Sequence, residues 1–293
     1  MISGILNLNK PVGPSSFSLV RLVRRLSAVD PIGHGGTLDP AAEGVLPILL
    51  GRATRLAEFV HEWPKTYLAT VQLGATSDTY DREGTITPVA GASELGAADL
   101  EAVLPRFVGS IMQVPPMHSA IKLGGESLYR KARRGEVVER APRPVRVDRL
   151  QLLDLDAENA RARLEVVSGK GMYVRSLVHD LGAALGCGAY LAALRRTAFG
   201  PLEVQDALTV ADLEADPKSW LGKLLPLDLP LRGWPSLALT GPRARAVQQG
   251  QAVPVPEAAA LGRHRVVDGE GRLLGWGDVD AARRLQPKAV FLP

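Results

Sequence analysis

The run His34-Gly35-Gly36-Thr37-Leu38-Asp39-Pro40 holds the residue types in this chain best suited to chemistry. Glycines let a backbone approach a ligand closely and take positive φ. Asp39 stands between an apolar leucine and a rigid proline, which suits a carboxylate aimed into a cleft. An Asx-type turn, with Asp39 bonding only its own backbone, accounts for the same residues, so the run alone leaves both readings open. A second run, Gly169-Lys170-Gly171-Met172-Tyr173-Val174-Arg175, puts a tyrosine and an arginine at the start of a helix. That arginine suits a bidentate pair with a carboxylate from another loop. The alternative is a surface arginine, which the helix dipole disfavours at this end unless an anion is close. A third run, Lys65-Thr66-Tyr67, opens a strand, where a tyrosine is more often core than site.

Other chemistries find little support. The glycine-rich run lacks G-x-G-x-x-G spacing, and no Gly-Lys-Ser/Thr ends it as in a P-loop. The five histidines (34, 61, 118, 179, 264) show no H-x-x-x-H spacing, and the single Cys187 cannot build a Cys-rich zinc site, so no metal is expected. Cys187, between two glycines, reads as a packing residue. A lone cysteine also fits a reducing compartment, and the expected location is cytoplasmic. No G-x-S-x-G elbow is present, although a Ser–His–Asp triad stays open. No apolar run approaches the about 18–20 residues that span a bilayer, and the first residues read as a strand rather than a signal peptide.

Net charge is only +4, but it is segregated. From Lys122 to Arg149 nine Lys/Arg face four Asp/Glu, whereas from Thr76 to Leu104 six acids face one base. A basic face of this kind suits a polyanion such as nucleic acid, and a solvated arginine-rich surface accounts for it too.

The elements that must position these residues follow from periodicity. Ile5–Asn9 alternates as a strand, Lys10–Pro14 must turn, and Ser15 or Ser16 can cap a helix to about Leu26 with Leu19, Leu22, Val23 and Leu26 on one face. Residues 33–40 are expected to be a tight loop without regular structure. An apolar segment Val45–Leu50, a helix Arg52–Glu62, a strand Lys65–Leu73 and a helix near Ala97–Phe107 follow. The Pro-, Gly- and Arg-rich residues from 113 onward read as an excursion with a short helix around Glu126–Arg134. Val145–Leu155 and Ala160–Val167 read as paired strands, and Tyr173–Leu185 as a helix stopped by Gly186. Pro226–Pro235 is the expected linker. Beyond it short segments and the Asp268–Gly271 hairpin signal suggest a small all-β module.

The segments HGGTLDPAAEGVLPILLGRATRL, KTYLATVQLG, QVPPMHSAIK, LYRKARRGEVV and SGKGMYVRSLVHDLGAALGCGAYLAALRR occur in this order and together closely resemble the bacterial tRNA pseudouridine-55 synthases of the TruB type. RVVDGEGRLLGWGDV and the terminal PKAVF resemble a PUA RNA-binding domain. The resemblance covers nearly the whole chain. One departure is His118, where family members often carry tyrosine.

The resemblance implies an α+β fold: a mixed, mainly antiparallel sheet flanked by helices (residues 1–229, with an RNA-clamping insertion at about 113–146), then a PUA-like barrel at 230–293. It implies isomerisation of a tRNA uridine in the T stem-loop. The C1′–N1 bond breaks, the base rotates and C5 bonds to C1′, with no atom gained or lost and no cofactor required. Asp39 is then the catalytic carboxylate, acting at C1′ as in retaining glycosidases, at C6, or on the C2′ proton; the sequence does not choose. Arg175 pairs with Asp39, Tyr67 stacks on the base, Tyr173 shapes the pocket, Leu194 walls it from water and Lys10 supports the loop. Flipping the base costs a few kcal/mol, and His34 is implied to fill the vacated space. Lys122, Arg130, Lys131, Arg133 and Arg134 are expected to clamp RNA. The enzyme is expected to act as a monomer without an obligatory protein partner or a membrane. The rival readings are an RNA-binding protein without catalysis, a nucleoside hydrolase, for which no second carboxylate motif is evident, and an RNA-guided relative.

Overall fold

The structure is a computed structural model that describes residues 2–119, 121–136, 138–216 and 219–291. The side chains of Lys122, Leu123, Ser127, Tyr129 and Arg133 lie outside the described ones.

A nine-stranded mixed sheet organises the first four-fifths of the chain. Its path runs Gly4–Lys10, Ala42–Leu50, Ala189–Phe199, Lys65–Leu73, Arg161–Ser168, Arg143–Asp156 and Gly109–Gln113, with Ile32–His34 and Leu202–Glu203 as short additions. Ala189–Phe199 runs parallel to Ala42–Leu50, and the remaining pairs on the path are antiparallel. The parallel register sets Leu194 opposite Ala42, three residues after Asp39.

The alternation of Lys65–Leu73 is that of a half-buried strand, with Tyr67, Ala69, Val71 and Leu73 inward. Those residues join Leu164, Val166, Leu177, Val178 and Leu181 in the largest core. The helix Ser16–Ser27 closes a second core on the far strands by burying Leu19, Val20 and Val23 against Leu6, Leu8, Leu46 and Ile48. Ser15 caps it, its hydroxyl accepting from the Ser18 N–H at 3.1 Å.

The helix Val174–Leu185 starts at Tyr173 and ends on Gly186 in the left-handed conformation, as its sequence requires. It lies so close to the strand Ala189–Phe199 that a Cβ on Gly182 would sit 2.1 Å from the Ala189 nitrogen. Alanine in a helix interior normally gains about 1 kcal/mol over glycine. Here the clash is with backbone, and overpacking costs of about 1–3 kcal/mol exceed that gain. Gly182→Ala is therefore expected to lower the thermal midpoint by several degrees, measured by calorimetry; an unchanged or raised midpoint would contradict this packing.

Five strands between Ser236 and Val290 form a sheet that curls into a half-barrel, with Gly262–Val267 and Leu273–Val279 joined through the Asp268–Gly271 turn. The module is not all-β as expected, because the helix Gly241–Gln248 buries Val247 against it. The Pro226–Pro235 stretch expected as a linker is packed instead. Leu231 is fully buried, and Trp234 meets Phe59 and Trp276 edge-on at 5.0 and 5.6 Å. Aromatic area of this size is worth more buried between the two sheets than left exposed on a tether.

Three further expectations need correction. Residues 32–34 are a strand paired with Ile48–Leu50, so the tight loop begins only at Gly35. The Arg52–Glu62 helix divides into a 3₁₀ turn, Gly51–Leu56, and an α-helix, Ala57–Glu62. The excursion opens with a small hairpin, Lys122–Leu123 with Glu126–Ser127, before its helix Leu128–Arg133.

Candidate active site

The loop Gly35–Ala41 is fixed at the five carbonyls from Gly36 to Pro40. The buried Arg196 donates from Nη2 to Gly36 O at 3.1 Å and from Nη1 to Thr37 O at 3.3 Å, and from Nε to Val45 O at 2.7 Å in the strand behind. Ser16 Oγ donates to Leu38 O at 3.0 Å and accepts the Leu38 N–H at 2.9 Å. The Ala42 N–H reaches Asp39 O, and the Gly13 N–H reaches Pro40 O. Lys10 Nζ donates to Pro11 O, Pro40 O and Ala42 O. Gly35 has to be glycine for this seat, because a Cβ there would lie 2.6 Å from Val60 Cγ1. A polar backbone tied this completely does not drift, so the Asp39 side chain projects from a rigid base.

The Asp39 carboxylate meets Arg175 rather than its own turn: Arg175 Nη2 lies 2.9 Å from Asp39 Oδ2. Only 5% of the Arg175 side chain is exposed, against 42% for Asp39. The cation is sealed into the protein, while the carboxylate stays open to the cleft. A buried guanidinium needs a full set of acceptors, and Arg175 has Asp39, Asp81 Oδ2 at 3.4 Å, His118 O at 2.8 Å and Thr79 O at 3.4 Å. These anions also explain how a cation is tolerated in the first turn of the helix Val174–Leu185.

Asp39, Arg175 and Leu194 line one cleft together with Ala41, Ala42, Asp81, Arg82, Leu191, Ala192 and Ala193. One wall is thus small and apolar and the other carries the carboxylate pair, so a group entering the cleft meets apolar surface on one side and an anion on the other. Tyr173 borders the adjoining groove with Gln113, Arg143 and Lys170, its backbone exchanging two hydrogen bonds with the Gln113 side chain. Burial pushes the Tyr173 hydroxyl up from its ordinary value. Tyr67 lies buried on the neighbouring strand, in the core that also holds Leu38, Ala42, Met172 and Val174.

The chain matches the TruB family pseudouridylate synthase N-terminal domain over residues 24–174, and two TruB C-terminal domains over residues 175–231 and 235–291. A tRNA pseudouridine synthase B of Pseudomonas putida is 43% identical, with 99% of this chain and 96% of the relative covered. One of Stutzerimonas stutzeri is 43% identical with the same coverage. The chain belongs to the TruB family of pseudouridylate synthases. It is an isomerase with a pseudouridine synthase fold. Among solved structures, a crystal structure of a Cbf5–Nop10–Gar1 complex matches with a TM-score of 0.74 and 25% identity, covering 99% of this chain and 85% of that one.

Within this TruB-type chain the remaining residues singled out in the sequence lie farther from the cleft. His34 ends the strand Ile32–His34, half-buried near His61, and burial pushes its pKa down. In the excursion, Arg134 forks onto Glu126 at 2.5 and 2.8 Å and reaches Glu136 at 2.8 Å, while Lys131 lies 3.8 and 3.7 Å from the same two acids. Arg130 is exposed on the short helix. The side chains of Lys122 and Arg133 fall outside the described ones.

Two residues were not found by sequence reasoning. Asp81 hides in the acidic stretch read as a surface loop, yet its side chain is only 11% exposed. Its Oδ1 accepts from Thr79 Oγ1 at 2.6 Å and the Glu83 N–H at 3.0 Å. The one available signal was the alternation Ser77, Thr79, Asp81, which puts hydroxyls and carboxylate on one side of an extended segment. Arg196 is the second of two adjacent arginines and gave no signal separating it from exposed Arg195.

Lys10 carries a pH dependence. Burial lowers its pKa from 10.5 to about 8, opposed by the nearby Asp39 carboxylate. Between those values the unfolded chain keeps a proton that folded Lys10 has released. The cost of burying the ammonium is therefore full below about 8 and shrinks as pH rises. Over the same range the clamp on Pro40 O and Ala42 O loses a donor. Turnover is expected to fall on an alkaline limb with an apparent pKa near 8, and Lys10→Met to show a lower rate without that limb. A pH–rate profile of kcat measures both.

Proposed function

We propose that this enzyme converts uridine 55 in the T-loop of tRNA to pseudouridine, with Asp39 as its catalytic carboxylate. The observation that carries the reading is the rigid, half-open Asp39 held by buried Arg175 against an apolar wall that includes Leu194. Whether the first step is attack at C1′, attack at C6 or removal of the C2′ proton, an oriented carboxylate beside the nucleoside is what it needs. The target base is flipped into the cleft, where Tyr67 and Tyr173 bound the ring, and His34 fills the gap left in the loop. Residues 113–146, with Lys122, Arg130, Lys131, Arg133 and Arg134, grip the RNA backbone. Residues 1–229 carry the chemistry, residues 230–293 extend the RNA surface as a PUA-like domain, and the enzyme works as a monomer without a protein partner or cofactor.

A nucleoside hydrolase needs a second carboxylate to activate water. Asp81 is the second carboxylate in the cleft, but its oxygens already face Thr79, Glu83 and Arg175. That favours isomerisation over hydrolysis.

The test is a tRNA transcript tritiated at C5 of uridine. Isomerisation replaces the C5–H bond by C5–C1′ and places a proton on N1, so one equivalent of tritium per tRNA enters water and no free base appears. Release of uracil would establish hydrolysis instead, and binding without either product would leave only an RNA-binding protein.

A further inference from the structure

The helix Ser16–Ser27 presents a feature that the core does not explain. Phe17 is 62% exposed and Val12, in the turn before it, 48%. A single exposed apolar residue needs no explanation. Here the Arg21 guanidinium sits over the Phe17 ring, 5.4 Å from its centroid. Arg25 follows on an exposed position, as does Arg24, which pairs with Asp30 at 3.3 Å, and the helix itself contains no acidic residue. The result is an apolar step edged by cations, the combination that single-stranded nucleic acid favours, because bases stack on aromatic faces while phosphates take the charge.

Its position gives the step a purpose. Ser16, the chain neighbour of Phe17, is hydrogen-bonded both ways to Leu38, the chain neighbour of Asp39. Gly13, the chain neighbour of Val12, is bonded to Pro40, which follows Asp39. With Cα steps of 3.8 Å and one side-chain hydrogen bond between them, Phe17 and Asp39 are at most about 15 Å apart. That is a few nucleotides of RNA. The step is rigidly registered to the carboxylate from both sides.

We propose that Phe17 and Arg21 form a stacking step on which the substrate RNA lays a base next to the target nucleoside, making the start of this helix part of the RNA interface. The inference rests on the reading that tRNA is the substrate. The step takes the face of a neighbouring loop base, Arg21 takes an adjacent phosphate, and the contact helps to offset the cost of unstacking the loop.

The experiment compares wild type, Phe17→Ala, Phe17→Trp and Arg21→Gln with unmodified tRNA, reading Kd by fluorescence titration, and KM and kcat by tritium release. Phe17→Ala is expected to raise Kd and KM about tenfold or more, with saturated kcat and thermal midpoint unchanged. Phe17→Trp, which restores the aromatic face, should recover wild-type values. Arg21→Gln should lower the slope of log K against log salt by about one. Phe17→Ala binding and turning over tRNA like wild type, while wild type itself is active, would overturn the step and leave the proposed function standing. Self-association of wild type that Phe17→Ala abolishes would assign the face to a second copy of the chain, and also overturn it. Failure of wild type to modify tRNA would remove the substrate reading and the step with it.

Discussion

Asp39→Asn is expected to abolish turnover while tRNA still binds. Asparagine has the shape of the carboxylate but neither its charge nor its nucleophilicity, and the loop carbonyls that fix residue 39 are held by Lys10, Ser16, Arg196 and backbone donors that the substitution does not touch. Removing the reacting group of an enzyme lowers kcat by about 10⁴-fold or more, whereas the RNA surface stays intact. Asp39→Glu separates chemistry from placement. It keeps the charge but moves it by one methylene, and a misplacement of about 1 Å costs about 10²-fold. Single-turnover conversion and equilibrium binding, measured on the same tRNA, read the two effects independently. A variant that lost binding and turnover together would mean that residue 39 shapes the RNA site instead of reacting.

Arg175 gives the second large effect. Its guanidinium serves Asp39, Asp81 and two carbonyls at once. Lysine keeps the charge but concentrates its donors at one point, so it cannot reach both carboxylates in the same geometry. Arg175→Lys is expected to lower kcat by about 10²-fold with tRNA affinity preserved. Arg175→Met goes further and leaves buried Asp81 without its cation, a loss of about 3–5 kcal/mol of stability that a melting curve detects. If Arg175 acts through Asp39, its replacement in the Asp39→Asn background adds little further loss of rate, since residues that act as a unit are not additive. Full additivity of the two substitutions would show that Arg175 contributes by a separate route.

The elements that the sequence made legible are those whose pattern is local. Lys65–Leu73 alternates and pairs as a strand, and Tyr173 and Gly186 bracket their helix. The pairing of Arg175 with Asp39 was legible too, because an arginine at a helix start asks for an anion and the family resemblance supplied one. What stayed hidden depends on distant contacts. The strand Ala189–Phe199 is rich in alanine, leucine and arginine, residues that favour helix. It is a strand because the edges of Ala42–Leu50 and Lys65–Leu73 flank it. Ile32–His34 is extended for the same reason, with Ile48–Leu50 as its template. Asp81 looked like its acidic neighbours Asp78 and Glu83, and only folding, which buries one of the three, distinguishes it. Arg196 is recognisable only where its guanidinium meets the carbonyls of Gly36 and Thr37.

The glycine-rich run His34–Pro40 thus acquires its meaning from residues far from it in the chain. Lys10 and Ser16 hold it from one side, Arg196 from behind, and Arg175 orients the carboxylate it carries. The measurement that tests this account most directly is nucleotide-resolution mapping of pseudouridine in an unmodified tRNA after incubation with the wild-type enzyme alone. The account predicts a single pseudouridine, at position 55 of the T-loop, and none with Asp39→Asn. Conversion at another position, or undiminished conversion by the Asp39→Asn enzyme, would contradict it.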